Sequence, residues 1–184
     1  MLLALGWMLM PHRAVFLDRD GVINKLIYRD GKPTSPRNIE EFEFEAGVEN
    51  ALMRLSAAGF KLFVVSNQPE LARGLLTNES LRLMTDRIVN TLEIDEVRIC
   101  PHDNDDGCRC RKPLPGMLLE LARKYDLSLE ESYIVGDTWK DSGAGSSAGC
   151  KSIILDRPYN REDPADWRVP DLSSAADLIC ASQR

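Results

Sequence analysis

With 184 residues, 43% of them hydrophobic and 28% charged, the chain has the size and composition of one globular domain. A formal net charge of −6 excludes a nucleic-acid binder held by general charge, which needs a basic face. Only two histidines, His12 and His102, argue against a Ser-His-Asp hydrolase, and five cysteines, with Cys100, Cys108 and Cys110 close together, point to metal binding in a reducing cytoplasm rather than to a disulfide framework.

The first ten residues, MLLALGWMLM, are apolar, but they lack a basic start and a small-residue cleavage site and are too short to span a bilayer. They read as a leader, or as the product of an upstream start with Met8 or Met10 as alternative first residues. The expected organisation is a flexible leader over 1–12 and a single domain over 13–184. An apolar run at 14–17 ends at Asp18 and reads as a buried strand. Residues 25–44 carry Pro33, Pro36, Gly31 and many charges, and read as a long loop or a hairpin. A helix is expected over 48–58, with Val48, Leu52 and Leu55 on one face and Gly59 as its stop. A strand at 62–65 ends at Ser66. The next helix, 78–92, is capped by Thr77 and turns Leu81, Met84, Ile88 and Leu92 inward. A strand at 97–99 ends at Cys100. A helix over 115–125 begins at proline and places Leu118, Leu119 and Ala122 inward. A strand at 133–135 ends at Gly136 and Asp137, a short helix of small residues follows over 142–148, a strand at 152–155 ends at Asp156, and a helix over 172–181 closes the chain.

Strands alternating with helices imply a doubly wound, mostly parallel, Rossmann-like α/β sheet with helices on both faces. Such sheets bind ligands beyond the carboxyl ends of their strands, so Asp18, Ser66, Cys100 and Asp137 should gather on one rim.

Asp18 and Asp20, two apart at a strand end, can both face a hard cation such as Mg²⁺, although a solvated turn uses the same residue types. Asp137 can complete the site from a second loop. Lys112 offers a point charge for phosphate, Ser66 a hydroxyl donor, and Asn67 and Gln68 further donors. Cys100, His102, Cys108 and Cys110 form a closed four-ligand set, which reads as structural zinc. That staple leads directly into Arg111 and Lys112, so it would position phosphate ligands.

The segments FLDRDG, VVSNQ, RKP and GDTWKD, each near a strand end, resemble in order the four motifs of the haloacid dehalogenase superfamily, over roughly 15–155. The resemblance implies a Mg²⁺-dependent phosphatase. Asp18 would attack phosphorus to form an aspartyl phosphate, and Asp20 would serve as general acid and then base. Mg²⁺ would be held by the Asp18 side chain, the Asp20 main-chain carbonyl and Asp137, with Asp141 behind them. Ser66 and Lys112 would neutralise the phosphoryl oxygens. Asp20 must start protonated, so its pKa is expected to be raised in the complex.

The cysteine loop, with GVIN, NQ, ARG, CPH, RKP and GMLL, resembles the branch that dephosphorylates a heptose bisphosphate or histidinol phosphate. Members lack a separate cap domain. On that resemblance Asn24, Asn67, Gln68 and Arg111 face the substrate, with the Arg111 fork on the sugar or a second phosphate. The leading substrate is the 7-phosphate of a heptose 1,7-bisphosphate, with histidinol phosphate as the alternative. A non-hydrolytic phospho-acceptor module shares the Asp, Lys and hydroxyl set, and Asp20 argues against it. The expected partner is a small phosphorylated sugar bound by a cytoplasmic monomer, without nucleic acid or membrane. Cys150 reads as core and Cys180 as half-buried. Trp139 reads equally as pocket wall or packing, and Tyr159 and Trp167 read as surface packing.

Overall fold

The computed structural model describes residues 11–182. Most of the expected leader lies outside the described residues. His12 lies within them and is not loose: its amide donates to the Asp126 carbonyl at 2.8 Å and its carbonyl accepts from Ser128.

The elements are β1 (Arg13–Leu17), β2 (Ile27–Arg29), β3 (Lys32–Thr34), α1 (Val48–Ala57), β4 (Phe60–Asn67), α2 (Pro69–Ala72), α3 (Asn78–Thr91), β5 (Glu96–Cys100), α4 (Gly116–Tyr125), β6 (Tyr133–Gly136), α5 (Trp139–Ala148), β7 (Lys151–Leu155), β8 (Trp167–Val169) and α6 (Leu172–Ala181). The main sheet has six strands in the order β5-β4-β1-β6-β7-β8, and every neighbouring pair is parallel. β2 and β3 form a separate two-stranded hairpin in the 25–44 excursion. No cap domain is inserted among the described residues. No described helix is long and apolar enough to cross a membrane.

The period of two along each strand sorts side chains onto two cores. Val15 and Leu17 of β1, with Leu62 and Val64 of β4, face a core shared with Leu52, Leu55, Met84, Ile88 and Ile179 of the helices. Ala14 and Phe16, with Phe63 and Val65, face a second core with Met117, Leu118, Leu121 and Ala144. Strands covered on both faces need continuous apolar runs, which is what β1 and β4 carry. Each fully buried Leu, Ile or Phe contributes on the order of 1.5–3 kcal/mol, so both helix layers are held chiefly by such contacts.

Three expectations change. In α4 the buried residues are Met117, Leu118 and Leu121, while Leu119 is 39% exposed. Leu119 turns its side chain outward because the helix docks through the 117–118–121 stripe. α5 starts at Trp139 rather than 142, because Thr138 and Asp141 close a reciprocal capping box one turn earlier. The edge strand β8 was not among the expected elements: Trp167 pairs there with Ile153, and its ring, 6.3 Å from that of Tyr133, packs at the surface as expected. Cys150 is buried and Cys180 partly buried, as their sequence context suggests.

Candidate active site

Asp18 follows β1 directly, and its amide donates to the Val135 carbonyl of β6 at 2.9 Å, which fixes the first loop between the two central strands. The chain then turns sharply: the Gly21 amide meets the Asn24 carbonyl at 2.7 Å and the Ile23 amide meets the Arg19 carbonyl at 2.8 Å. Gly21 sits at φ 84°, and a Cβ there would come within 2.4 Å of Asp137 Oδ2. At Gly136 a Cβ would meet the Asp141 carboxylate carbon at 2.2 Å. Both glycines let carboxylates approach the backbone closely.

Asp18, Asp137 and Asp141 place carboxylate oxygens within 4.8 Å of one another. Lys112 reaches between them. Its Nζ donates to Asp18 Oδ1 at 2.8 Å, to Asp141 Oδ1 at 2.6 Å and to the Val65 carbonyl at 2.7 Å, and the residue is only 2% exposed. Burial lowers the Lys112 pKa, but the two carboxylates outweigh it and hold the ammonium above its usual range. One cation does not balance three carboxylates. Burial pushes Asp18 up to about 7, with Asp141 and Asp20 adding to the rise while Lys112 opposes it. Asp137 is raised well above the ordinary carboxylate range by burial and by the charges of Asp18 and Asp141. Crowded carboxylates of this kind fit a hard divalent cation with oxygen ligands, whose charge would let all of them ionise. The Asp20 side chain is not in this cluster.

Asp20 is held from below. Arg19, fully buried, contacts both of its oxygens at 3.0 Å, Asn24 Nδ2 donates at 2.9 Å and Gln68 Nε2 at 2.7 Å. Burial raises the Asp20 pKa, but Arg19 and the two amides more than offset it, so the carboxyl sits below its usual value. The raised value expected for the complex is thus not a property of the free site. Asn24 and Gln68, expected on the substrate side, are both fully buried and spend their amides on Asp20, and Gln68 also donates to Ser66 Oγ at 2.9 Å. Ser66 is buried beside them. Asn67 does reach the cleft, and its side chain clamps the Lys112 backbone, donating to its carbonyl at 2.9 Å and accepting from its amide at 3.0 Å.

The cleft over these groups encloses about 370 Å³. Its walls are the β3 end at Thr34 and Ser35, the α2 side with Arg73, and Arg111, Lys140 and Tyr159. Trp139, 48% exposed, borders a neighbouring hollow with Leu114, Arg111 and Lys140, so it walls a surface rather than packing in the core. Tyr159, read from sequence as surface packing, lines the cleft, and its hydroxyl donates to Asp137 Oδ2. It was findable, because 156–160 follows a strand end on the same sheet edge as Asp18 and Asp137.

The thiol loop closes beside the cleft. Cys100 ends β5, and its Sγ lies 3.6 Å from His102 Nδ1, 3.7 Å from Cys108 Sγ and 3.2 Å from Cys110 Sγ, with Cys110 Sγ 3.3 Å from His102 Nδ1. Bonds of about 2.3 Å to sulfur and about 2.1 Å to nitrogen put tetrahedral ligand atoms roughly 3.5–3.8 Å apart, so these four atoms can hold zinc with little movement. Burial pushes the Cys100 thiol up to about 12, and the Cys110 thiol contributes to the rise. A dication would reverse that. The loop is braced outward: Arg73 makes a two-pronged contact with Asp103 at 2.5 and 2.7 Å, and Arg111 donates to Asn104 Oδ1 at 3.1 Å and to the His102 carbonyl at 3.0 Å.

Fold and site define a phosphoric monoester hydrolase of the haloacid dehalogenase type, and a HAD-hydrolase-like family model matches residues 109–175. The chain is 35% identical over 174 residues to the D-glycero-beta-D-manno-heptose-1,7-bisphosphate 7-phosphatase of Bordetella bronchiseptica, covering 92% of this chain and 94% of that protein. It is 34% identical to the D-glycero-alpha-D-manno-heptose-1,7-bisphosphate 7-phosphatase of Campylobacter jejuni, over 83% of this chain and 87% of the other. It superposes on the crystal structure of the B. bronchiseptica D,D-heptose 1,7-bisphosphate phosphatase, complexed with magnesium and phosphate, with a TM-score of 0.81 at 31% identity, covering 92% of this chain and 99% of that one. The chain belongs to the heptose-1,7-bisphosphate 7-phosphatase family.

Proposed function

We propose that this enzyme removes the 7-phosphate of D-glycero-D-manno-heptose 1,7-bisphosphate through an aspartyl phosphate on Asp18. The observation that carries the reading is the Asp18 carboxylate, held by Lys112 at 2.8 Å on the floor of a polar cleft, with Asp20 two residues further on. In the first step an Asp18 oxygen bonds to phosphorus, the P–O bond to the sugar breaks, and Asp20 gives its proton to the leaving alkoxide. In the second, Asp20 takes a proton from water, the water oxygen bonds to phosphorus, and Asp18 is released with inorganic phosphate. Arg19, Asn24 and Gln68 favour ionised Asp20 in the free site. A phosphate dianion arriving beside Asp20 opposes them and shifts the carboxyl toward its protonated form.

Lys112 neutralises phosphoryl oxygens, assisted by the Ser66 hydroxyl, and Asn67 fixes the Lys112 backbone. Mg²⁺ would be held by Asp18, the Asp20 carbonyl and Asp137, with Asp141 behind, and when bound it supplies charge that offsets the phosphoryl group's own. Zinc would be held by Cys100, His102, Cys108 and Cys110 and supplies folding energy to the loop that carries Arg111. Arg111 recognises the second phosphate by its fork. Residues 13–184 act as one domain, a monomer in the cytoplasm, on a small phosphorylated sugar, without nucleic acid or membrane.

The test is turnover of both anomers of the heptose 1,7-bisphosphate, of histidinol phosphate and of an aryl phosphate under identical conditions. The reading expects a heptose 1,7-bisphosphate to lead histidinol phosphate and the aryl phosphate in kcat/KM by about a hundredfold, because a site built to pair a second anion rejects ligands lacking it. Equal or faster turnover of histidinol phosphate would overturn the substrate assignment.

A further inference from the structure

The carboxylates of the site are not held alike. Asp18 and Asp141 share the Lys112 ammonium, and Asp20 has Arg19, Asn24 and Gln68. Among the described residues no cation makes a direct contact with the Asp137 carboxylate, on which Lys112 acts only through its charge. Among the described residues, the one side-chain donor to its carboxylate is the neutral phenol of Tyr159. On the other side Gly21 leaves no space, since a Cβ there would lie 2.4 Å from the same Oδ2. The carboxylate is wedged between the Gly21 turn and the Tyr159 hydroxyl while Asp18 and Asp141 repel it.

The segment that presents Tyr159 is firmly braced to the same turn. Arg157 donates to the Gly21 carbonyl at 2.9 Å. Asn160, 1% exposed, donates to the Asp137 carbonyl and to the Leu155 carbonyl at 2.8 Å each. Arg168 in turn holds the Asn160 carbonyl and Oδ1 at 2.8 Å each. The first turn of α5 is tied in as well, with the Trp139 amide on Asp163 Oδ2 at 2.7 Å. A surface tyrosine that served only as packing would need none of this.

We infer that Tyr159 is a positioning residue for the catalytic cation: it holds the Asp137 carboxylate in its ligating pose from outside the ligand set. The inference rests on the reading of Asp137 as a magnesium ligand. Groups that orient metal ligands from outside typically change metal affinity by about 10–100-fold when removed, while leaving the chemistry itself to the ligands and the nucleophile.

The experiment compares wild type, Tyr159→Phe and Asp137→Asn. Mn²⁺ binding to the substrate-free protein is read by electron paramagnetic resonance, and the Mg²⁺ concentration for half-maximal turnover, the KM for substrate and the melting temperature are measured alongside. Tyr159→Phe should weaken Mn²⁺ binding about tenfold and raise the half-activating Mg²⁺ by the same factor. It should keep kcat at saturating Mg²⁺ within about twofold and lower the metal-free melting temperature by no more than a few degrees, the scale of one lost hydrogen bond. Unchanged Mn²⁺ binding with a raised substrate KM makes Tyr159 a substrate wall and overturns the inference. A lowered metal-free melting temperature with unchanged metal binding makes its role structural and overturns it too. If Asp137→Asn abolishes Mn²⁺ binding while Tyr159→Phe leaves it alone, the positioning role fails and the metal reading stands. If Asp137→Asn binds Mn²⁺ like wild type, the metal reading itself falls and takes the inference with it.

Discussion

Two clusters of would-be anions sit on the same edge of the sheet, and they are built in opposite ways. Asp18, Asp137 and Asp141 arrive from two separate loops and a helix, and they line an open cleft. Cys100, His102, Cys108 and Cys110 arrive from one short stretch, and their donor atoms already approximate a tetrahedron. The first cluster crowds charge that a cation relieves, and an open oxygen site releases its cation readily. The second is closed and sulfur-rich, a ligand set suited to an ion that would be part of the fold. The two meet at consecutive residues, Arg111 and Lys112, one braced by the thiol loop and the other buried among the carboxylates. One rim thus carries a site suited to exchange and a site suited to permanence, with the second aiming the first.

The largest effect should fall on the exchanging site. Asp18→Asn removes the attacking oxygen and should cost at least about a thousandfold in kcat. Activity within tenfold of wild type in a steady-state assay would break the division at once. Asp20→Asn should cost roughly 10²–10⁴-fold with a sugar phosphate, and less with an aryl phosphate whose leaving group needs no proton. The ratio between the two substrates is the readout, and an equal loss for both would remove Asp20 as the acid.

Metal content should sharpen the comparison. Elemental analysis of protein purified without chelator should find about one zinc per chain. Magnesium should be lost on gel filtration and restored by simple addition. Iron in the thiol site, or firmly retained magnesium, would contradict the assignment of exchange and permanence.

A smaller effect concerns pH. Asp18 is raised to about 7, chiefly by burial, against an unfolded value of about 4. A raised acid binds its proton more tightly in the folded state, so folding loses stability as pH climbs between those values. Magnesium-free wild type should therefore lose melting temperature relative to Asp18→Asn from about pH 4 to pH 7, and level off above. Added Mg²⁺ should shrink the gap at neutral pH. A difference between the two proteins that does not vary with pH would mean that Asp18 is not crowded as described.

The two clusters also differ in how far they could be read from sequence. The thiol set was legible outright, because four ligands within one short loop leave few other uses for them. The carboxylate set was legible through the strand-end rule, which gathers Asp18 and Asp137 whatever their distance along the chain. Orientation was not legible. Asn24 and Gln68 sit in motif positions that suggest substrate contact, yet both turn inward to Asp20. Nothing in a one-dimensional pattern tells which side of a tight turn an amide faces. Leu119 failed for a similar reason, since helical periodicity gives the stripe but not its rotation against the sheet. Tyr159 lay within reach of the strand-end rule, but the Asn160 and Arg157 contacts that brace its segment run from side chain to main chain across the fold, and such contacts leave no spacing signature.

The central claim, that the thiol loop positions while the carboxylates react, is tested most directly by Cys108→Ser studied with two readouts. A melting curve and steady-state kinetics at saturating Mg²⁺ are taken on the same preparation. Loss of one ligand from a closed zinc site should lower the melting temperature clearly, because metal-binding energy is folding energy. KM should rise as Arg111 loses its brace, while a measurable part of kcat survives, since Asp18, Asp20 and Asp137 come from other loops. An unchanged melting temperature together with a kcat as low as that of Asp18→Asn would contradict the account and make the thiol-bound ion part of the chemistry.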